Sequence, residues 1–348
     1  MLNKNEVLLL GYSFKLGGGV SKVTRTVCNH LPYLRPHPVV HCYHPKIKSV
    51  LLTAVSFVRF CAILLVHPPR VLHVIVGSNG DLLRTVPFIL SGKLRKCWVC
   101  LHFHKSLDVI YTFEPGLKKA LVRRTWQHVD AFVFISKRLR DEFNRLYGQE
   151  TNNYIIPNVL EADWLNLRSP SLVDRARDVV FLGRWSSEKG VKDLLTLFSG
   201  QYNPEGIKCN VFSDFSPSTP VDHFHFWPWL TGTGVKEVLS DSKILILPSY
   251  AEAYPTILLE AAACGTPFIA TTIGGIPDIA DESQAGLLVK AGDIEGMKSA
   301  LNQLLYNKSL WAQLSTNGVK WIKNQPSVSE VMEKWEALYK DLSAKQVK

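Results

Sequence analysis

The sequence has no internal repeat and no low-complexity segment. That excludes solenoids and compositionally biased rods or linkers as descriptions of the whole chain. It also lacks a cysteine framework: the seven cysteines, at 28, 42, 61, 97, 100, 209 and 264, are odd in number and irregularly spaced. A disulfide-stapled fold is therefore not expected, and a reduced, cytoplasmic protein is. The one close pair, Cys97 and Cys100, falls in CWVCLHFH, which reads as a strand. An offset of three on a strand puts the side chains on opposite faces about 10 Å apart, whereas a disulfide needs Cα atoms within about 7 Å. A zinc site built from Cys100, His102 and His104 is excluded on similar grounds, since strand residues two apart stand about 6.7 Å from each other.

Other signals are missing too. The apolar run VLLLGYSF near the N-terminus is too short for a signal peptide. Gly17-Gly18-Gly19 is not the GxGxxG dinucleotide fingerprint, and no DxD pair for a divalent metal lies in the loops that follow the strands. No metal or other cofactor is expected. Only one run, residues 50–66, is long and apolar enough to suggest a membrane, and Arg59 near its middle costs about 2.5–3.5 kcal/mol in a spanning helix. Thr53, Ser56 and Arg59 form a narrow polar stripe on it. The segment reads as a buried helix, with a helix lying in the membrane plane as the alternative.

What is present is an ordinary globular composition, 46% hydrophobic and 20% charged over 348 residues, enough for about two domains. The net charge of +10 is one-sided: residues 1–165 hold 22 Lys and Arg against 10 Asp and Glu, whereas residues 166–348 hold 18 against 20. A basic first half favours an anionic partner such as membrane headgroups or an acidic substrate. No nucleic-acid recognition motif accompanies it, so nucleic acid is not expected.

Along the chain, apolar strands alternate with helices. Strands are expected at 7–10, 71–76, 97–103, 131–135, 179–182, 210–212, 244–247 and 267–270, and helices at 20–31, 50–66, 114–128, 138–146, 191–198 and 255–264. Continuous apolar strands separated by helices predict parallel sheets covered on both faces. The pattern restarts after Pro157-Asn158, giving an α/β protein of two Rossmann-like domains joined by a linker near 160–175. Ligands of such sheets bind beyond the carboxyl ends of the strands, which selects the loops 11–19, 102–106, 183–190 and 248–256.

EAYPTILLE, Glu252 to Glu260, places two carboxylates around a helix start. Pro255 suits the first helical position, and the amides of Thr256, Ile257 and Leu258 then form an anion site at a positive helix end. Thr256 and Glu260, four apart, share one face about 6 Å apart along the axis. A phosphate at the tip and a hydroxyl-bearing group on Glu260 would suit that spacing, as in a nucleoside diphosphate.

The surrounding block, LPSYAEAYPTILLEAAACGTPFIATTIGGIPDIADESQAGLLV, resembles the signature of the retaining glycosyltransferases of family 4. It contains E-x7-E, the turn Gly265-Thr266-Pro267 and the loop Gly274-Gly275-Ile276-Pro277-Asp278. FLGRWSSEKGVKDLL, FISKRLRDEF, IIPNVLEADW, GGGVSKVTRTVCNHL and CLHFHKS are similar to the family's other blocks, so the resemblance covers most of the chain. It implies the GT-B fold, two Rossmann-like domains facing each other across a cleft. Residues 1–165 would bind the acceptor and 166–325 the nucleotide sugar, and a helix in 326–348 would cross back to the first domain.

The resemblance also implies roles. Glu260 holds the donor ribose. Glu252 sits against the donor sugar, with the amides of Tyr254, Pro255 and Thr256 beside it, and Arg184 and Lys189 clamp the diphosphate. His104 contacts the donor sugar or organises the reacting centre, while His102 is structural. Gly18 and Gly19 let backbone approach a ligand. The sequence departs from the family at Ala253, where glycine is usual, and in NVFSDFSP, which lacks a Gly-x-Gly turn; HFWPWLTG, with Trp227 and Trp229, is assigned to the base instead. The implied reaction is metal-independent, retaining transfer of a hexosyl unit from a UDP- or GDP-sugar to a glycan or lipid-linked acceptor. Bacterial surface polysaccharide or lipopolysaccharide synthesis at the inner membrane face would suit it. A nucleotide-sugar 2-epimerase of the same fold and a non-catalytic nucleotide-binding subunit remain as alternatives.

Overall fold

The computed structural model describes residues 6–14, 19–40, 47–77, 79–105, 116–148, 152–165, 167, 171–203, 205–230 and 232–344. The chain divides into two compact units, Met1–Val159 with Val328–Lys348, and Leu160–Ser327. Each is built on a six-stranded parallel sheet, as the alternation of apolar strands and helices requires.

The first unit contains β1 (Val7–Tyr12), α1 (Gly19–His30), β2 (Leu34–Val40), α2 (Ile47–Val66), β3 (Val71–Val76), α3 (Asn79–Leu94), β4 (Trp98–Phe103), α4 (Leu117–Trp126), β5 (Ala131–Phe134), α5 (Lys137–Tyr147), β6 (Asn153–Ile155) and the terminal helix α12 (Val328–Ala344). Its strand order is β2-β1-β3-β4-β5-β6. β1, β3 and β5 are buried along their whole length, because helices cover both faces and no residue can be spared for solvent. Trp335, Leu338, Tyr339 and Leu342 of α12 enter this core beside Leu9, Ile75, Cys100 and Val133.

In this unit, sequence reasoning missed β2, α3 and β6. β2, LRPHPVV, carries two prolines and no alternation; it lies at the sheet edge, where an absent N–H breaks no second ladder. α3 has Pro87 in its interior, which counts against a helix in any propensity argument, yet the ring is on the exposed side. β6 is three residues long, too short to carry a pattern.

The expectation of a buried helix at 50–66 is corrected. Only 22% of Ser49–Val66 is buried. The helix turns two residues of its polar stripe inward while Arg59 stays exposed: Ser56 Oγ donates to the carbonyl of Pro38 (2.6 Å) and Thr53 Oγ1 to that of Val39 (3.2 Å), both on β2. Val50, Leu51, Val55, Val58, Leu65 and Val66 face outward. Hydrogen bonding to the edge strand and burial of Phe60 and Leu64, with Phe60 packed on Phe88, set the rotation together.

The second unit contains β7 (Arg177–Leu182), α6 (Val191–Leu197), β8 (Cys209–Ser213), β9 (Phe224–Pro228), α7 (Thr233–Ser240), β10 (Ser242–Leu247), α8 (Thr256–Ala263), β11 (Phe268–Thr271), α9 (Ile276–Ser283), β12 (Gly286–Val289), α10 (Ile294–Tyr306) and α11 (Lys308–Lys323). Its order is β12-β11-β10-β7-β8-β9, so strands laid down after β7 go first to one side and then to the other. The direction reverses between β7 and β10, and a crevice opens at their carboxyl ends at such a switch point.

Part of the stretch expected to be a linker belongs to this unit. Trp164 is buried under the ammonium of Lys236, which also pairs with Asp163. Arg175, 2% exposed, donates to the carbonyls of Leu239, Ser242, Cys264 and Gly265 and to Thr266 Oγ1 at 2.8–3.1 Å, and lies over Trp311. Burial lowers its pKa to about 10, so it stays a cation. It closes the C-terminal end of α8, where a positive charge is favoured, and thereby fixes the helix whose other end carries the site.

Candidate active site

The switch point is built from three loops laced together. After β7, residues 183–190 turn through the short 3-10 segment Ser187–Lys189 into α6. After β10, residues 248–255 lead into α8. The two meet where Tyr250 N–H donates to the carbonyl of Glu188 (2.8 Å) and Tyr250 Oη to Asp193 Oδ2 (2.7 Å). Gly190 has φ +71° and packs so closely that a Cβ would run into the carbonyl oxygen of Pro248. The third loop, after β11, brings Gly274 (φ +51°) against the carbonyl oxygen of Glu252 and Gly275 N–H onto that of Ala253 (2.6 Å). Only glycine supplies both the positive φ and the clearance.

Inside this lacing, Lys189 Nζ lies 2.5 Å from Glu252 Oε1. The same oxygen accepts from Ser249 Oγ at 2.9 Å, and Ser249 is in turn held by Thr271, whose hydroxyl donates to its carbonyl (2.6 Å). Glu252 is 9% exposed and Glu260 5%. A buried carboxylate requires such partners, and the ammonium of Lys189 supplies the main one for Glu252.

Pro255 is the N-cap of α8, not its first helical residue. Its ring fixes φ at −69° with ψ 114°, an extended entry that starts the helix one residue later. The Leu258 N–H bonds the carbonyl of Pro255 (3.1 Å), which leaves Thr256 and Ile257 as tip donors. Pro255 has no N–H, so Tyr254 and Thr256 alone of the expected trio can donate. The Tyr254 ring is buried and stays protonated, its pKa raised by burial and then by Glu282 and Asp278. Thr256 opens α8, and Glu260 follows one turn on.

Arg184 and Trp185 occupy the loop after β7. Trp185 N–H donates to Asp214 Oδ1 (2.9 Å), and its ring stacks on Phe215 at 5.5 Å. This aromatic shelf after β7 and β8 was not expected from the sequence; NVFSDFSP hides it because Asp214 and Phe215 follow no motif. Trp229 lies just past the edge strand β9, two strands from β7, about 10 Å across the sheet. Trp227 stacks on Phe212 and donates to Asn210 Oδ1 (3.2 Å).

His104 belongs to the first unit, at the carboxyl end of β4. Its ring and that of His102 are 4.1 Å apart, with His104 Nε2 3.3 Å from His102 Nδ1. The spacing argument against a shared ligand therefore fails, because His104 has left the strand and is free of its pleat. Even so, no group of three metal-ligating side chains forms among the described residues. Gly18 lies outside the described residues, and Gly19 is the first residue of α1.

Residues 176–307 match the family model for glycosyl transferases group 1. They form a glycosyl transferases group 1 domain. This group 1 domain runs from β7 through α10 and holds every residue of the switch-point site. The chain is 32% identical over 108 residues to N-acetyl-alpha-D-glucosaminyl L-malate synthase of Bacillus anthracis, covering 31% of this chain and 28% of that protein. It is 25% identical over 254 residues to alpha-maltose-1-phosphate synthase of Mycolicibacterium smegmatis, covering 64% and 66%. The chain thus matches less than a third of the length of the first of these curated relatives. Among solved structures, the sucrose-phosphate synthase of Thermosynechococcus elongatus superposes with TM-score 0.75 at 16% identity, covering 97% of this chain and 99% of that one. Anabaena HepE in complex with UDP superposes with TM-score 0.74 at 12% identity, covering 96% and 99%. The architecture around the group 1 domain is accordingly that of the GT-B glycosyltransferases, two Rossmann-like units.

Proposed function

We propose that the protein is a retaining glycosyltransferase that moves a hexosyl unit from a UDP- or GDP-sugar to a glycan or lipid-linked acceptor without a metal ion. The observation that carries this reading is the placement of Lys189, Glu252 and the tip of α8 at one switch point, with Glu260 one helical turn further on. As the glycosidic bond breaks, negative charge grows on the departing diphosphate. Fixed cations and helix-tip amides aimed at that charge lower the barrier, and Lys189, Arg184, Thr256 and Ile257 are the donors for it. Glu260 takes the ribose hydroxyls as an acceptor-only group. Glu252, held by Lys189 and Ser249, faces the sugar; when the diphosphate arrives, Lys189 divides its charge between the two anions. The Trp185–Phe215 shelf offers a flat apolar surface near the base, a better-placed candidate than Trp229. The retaining outcome and the hexose rest on the family resemblance. The relatives whose printed names specify a product, and HepE bound to UDP, support a nucleotide-sugar donor.

The acceptor belongs to the basic first unit, and α2 supports a lipid-linked one. Its outward apolar face, with Arg59 exposed on it, the exposed Arg95 bonded to the Leu64 carbonyl near its C-terminal end and the exposed Arg70 four residues beyond that end, suits a helix lying in an anionic membrane surface. The enzyme then works as a cytoplasmic protein held peripherally at the inner membrane face.

The direct experiment screens UDP- and GDP-sugars for release of the nucleotide, with and without EDTA and with Arg184→Ala beside the wild type. Release that survives EDTA and falls about 10²–10³-fold in the variant is expected. A strict EDTA block contradicts the metal-free assignment, and unchanged turnover removes Arg184 from the mechanism. Conversion of the donor sugar with no acceptor and no nucleotide release would identify an epimerase instead.

A further inference from the structure

Ser249 is tied to two strands of the second sheet and to Glu252. It lies two residues past β10, and Thr271 ends β11, the neighbouring parallel strand, where Leu247 pairs with Ala270. Both Ser249 and Thr271 are fully buried. The Thr271 hydroxyl donates to the Ser249 carbonyl (2.6 Å), which fixes the Ser249 backbone to the end of β11. The Ser249 hydroxyl donates to Glu252 Oε1 (2.9 Å), three residues on. A hydroxyl has one proton to give, so this donor is committed to Glu252. Lys189, the other donor to that oxygen, comes from the 3-10 turn after β7, on a flexible four-carbon stem, with its side chain 19% exposed.

The two carboxylate oxygens of Glu252 are thereby unlike. Oε1 takes both donors, Lys189 Nζ at 2.5 Å and Ser249 Oγ at 2.9 Å. Oε2 has no hydrogen-bond partner among the described residues and still reaches solvent. An ionised carboxylate accepts at about four positions, so the capacity left for a ligand lies on Oε2. A diphosphate at the tip of α8 competes with Glu252 for Lys189. A carboxylate only 9% exposed loses its cation at a high cost. It either follows the ammonium or is retained by a donor with no charge to offer the phosphate. Ser249 is that donor: it is neutral, and the sheet rather than the ligand holds it in place.

We propose that Ser249 is the positioning residue of Glu252: its hydroxyl keeps hold of Oε1 when the diphosphate draws the charge of Lys189 away, so that Oε2 stays turned to the donor sugar. This rests on the transferase reading, in which Glu252 faces the sugar and Lys189 the diphosphate. The Lys189–Glu252 pair is then the resting arrangement of the site, and the Ser249–Glu252 bond is the one that lasts through the reaction. Thr271 supports it from the next strand by holding the Ser249 backbone.

The test is a double-mutant cycle. UDP and GDP are titrated into the wild type by calorimetry. The tighter of the two is then carried through Ser249→Ala, Glu252→Ala and the double variant, with folding checked by melting curves. Ser249→Ala should weaken the nucleotide about three- to tenfold, because Glu252 then depends wholly on Lys189. In the Glu252→Ala background the same change should stay within about twofold. For the UDP- or GDP-sugar that the wild type turns over fastest, Ser249→Ala should lower kcat about tenfold and raise KM no more than it weakens the nucleotide. Thr271→Val should give a smaller loss of the same pattern, and Thr271→Ser, which keeps the hydroxyl, should avoid it. A Ser249→Ala loss of equal size with and without Glu252, or no loss at all, overturns the proposal, since a serine that only shapes the loop acts whether or not the carboxylate is present. If the coupling is found but no sugar nucleotide is turned over, the transferase reading fails while Ser249 still holds Glu252. If neither UDP nor GDP binds, both fail.

Discussion

Lys189 Nζ and Glu252 Oε1, 2.5 Å apart, join the loop after β7 to the loop after β10 at the reversal point of the second sheet. The pair has opposite duties toward a diphosphate: one member attracts it and the other repels it. Lys189→Ala should weaken UDP binding about 10–100-fold, the loss of a charge-assisted hydrogen bond made worse by a carboxylate left without its cation. Glu252→Gln should leave UDP binding intact or strengthen it a few-fold, while turnover of the sugar nucleotide falls. Titration calorimetry with UDP, paired with turnover assays, reads both signs.

Gly274 and Gly190 are set to the site by backbone contact. Alanine at either position meets a carbonyl oxygen, of Glu252 or of Pro248, at a φ that L side chains rarely adopt. Each substitution should cost about 1–3 kcal/mol of stability, read from denaturant midpoints. Gly274→Ala should also raise the KM for the donor, because the displaced carbonyl belongs to Glu252. Gly148→Ala, also at positive φ but with open space around it, should cost less and leave KM unchanged.

The buried histidines make stability fall in acid. His73 and His104 have folded values near 3 against an ordinary 6.5, so between these limits the unfolded chain binds more protons than the folded one. Stability should be flat above about pH 6.5 and decline below it, by about 2 kcal/mol per histidine at pH 5. His73→Phe should flatten part of that slope in melting curves taken from pH 5 to 8, whatever it does to the absolute melting temperature.

The outward face of α2 should bind vesicles. Val58→Glu and Leu51→Glu, both more than 60% exposed, should abolish co-sedimentation with phosphatidylglycerol-rich vesicles while leaving the melting temperature within a degree or two. High salt should weaken the wild-type interaction without eliminating it, since the charge term is screened and the apolar term is not.

The sequence made the strands that feed the site legible because both faces of a parallel sheet are covered, so strands such as VLLLGY and KILIL are almost wholly apolar. EAYPTILLE drew attention because of its resemblance to the family's E-x7-E block, since two acids around a helix start also serve in structural salt bridges. The edge strand LRPHPVV and the proline-bearing α3 were hidden, since edge position and outward-facing rings are properties of the assembled sheet. α2 was misread for a similar reason. The Thr53 and Ser56 hydroxyls can face inward only if something polar waits there, and the carbonyls of Pro38 and Val39 lie on a strand the sequence did not announce. Ser249, Arg175 and the His73–Tyr339 contact depend on residues far apart in the chain, and single-sequence spacing cannot register them.

The central claim is that the leaving diphosphate is gripped where β7 and β10 part. A crystal structure with UDP tests it most directly. The account predicts the β-phosphate on Lys189 and Arg184 at the tip of α8, with the ribose hydroxyls on Glu260. UDP bound with its phosphates away from Lys189 and its ribose away from Glu260 would contradict it.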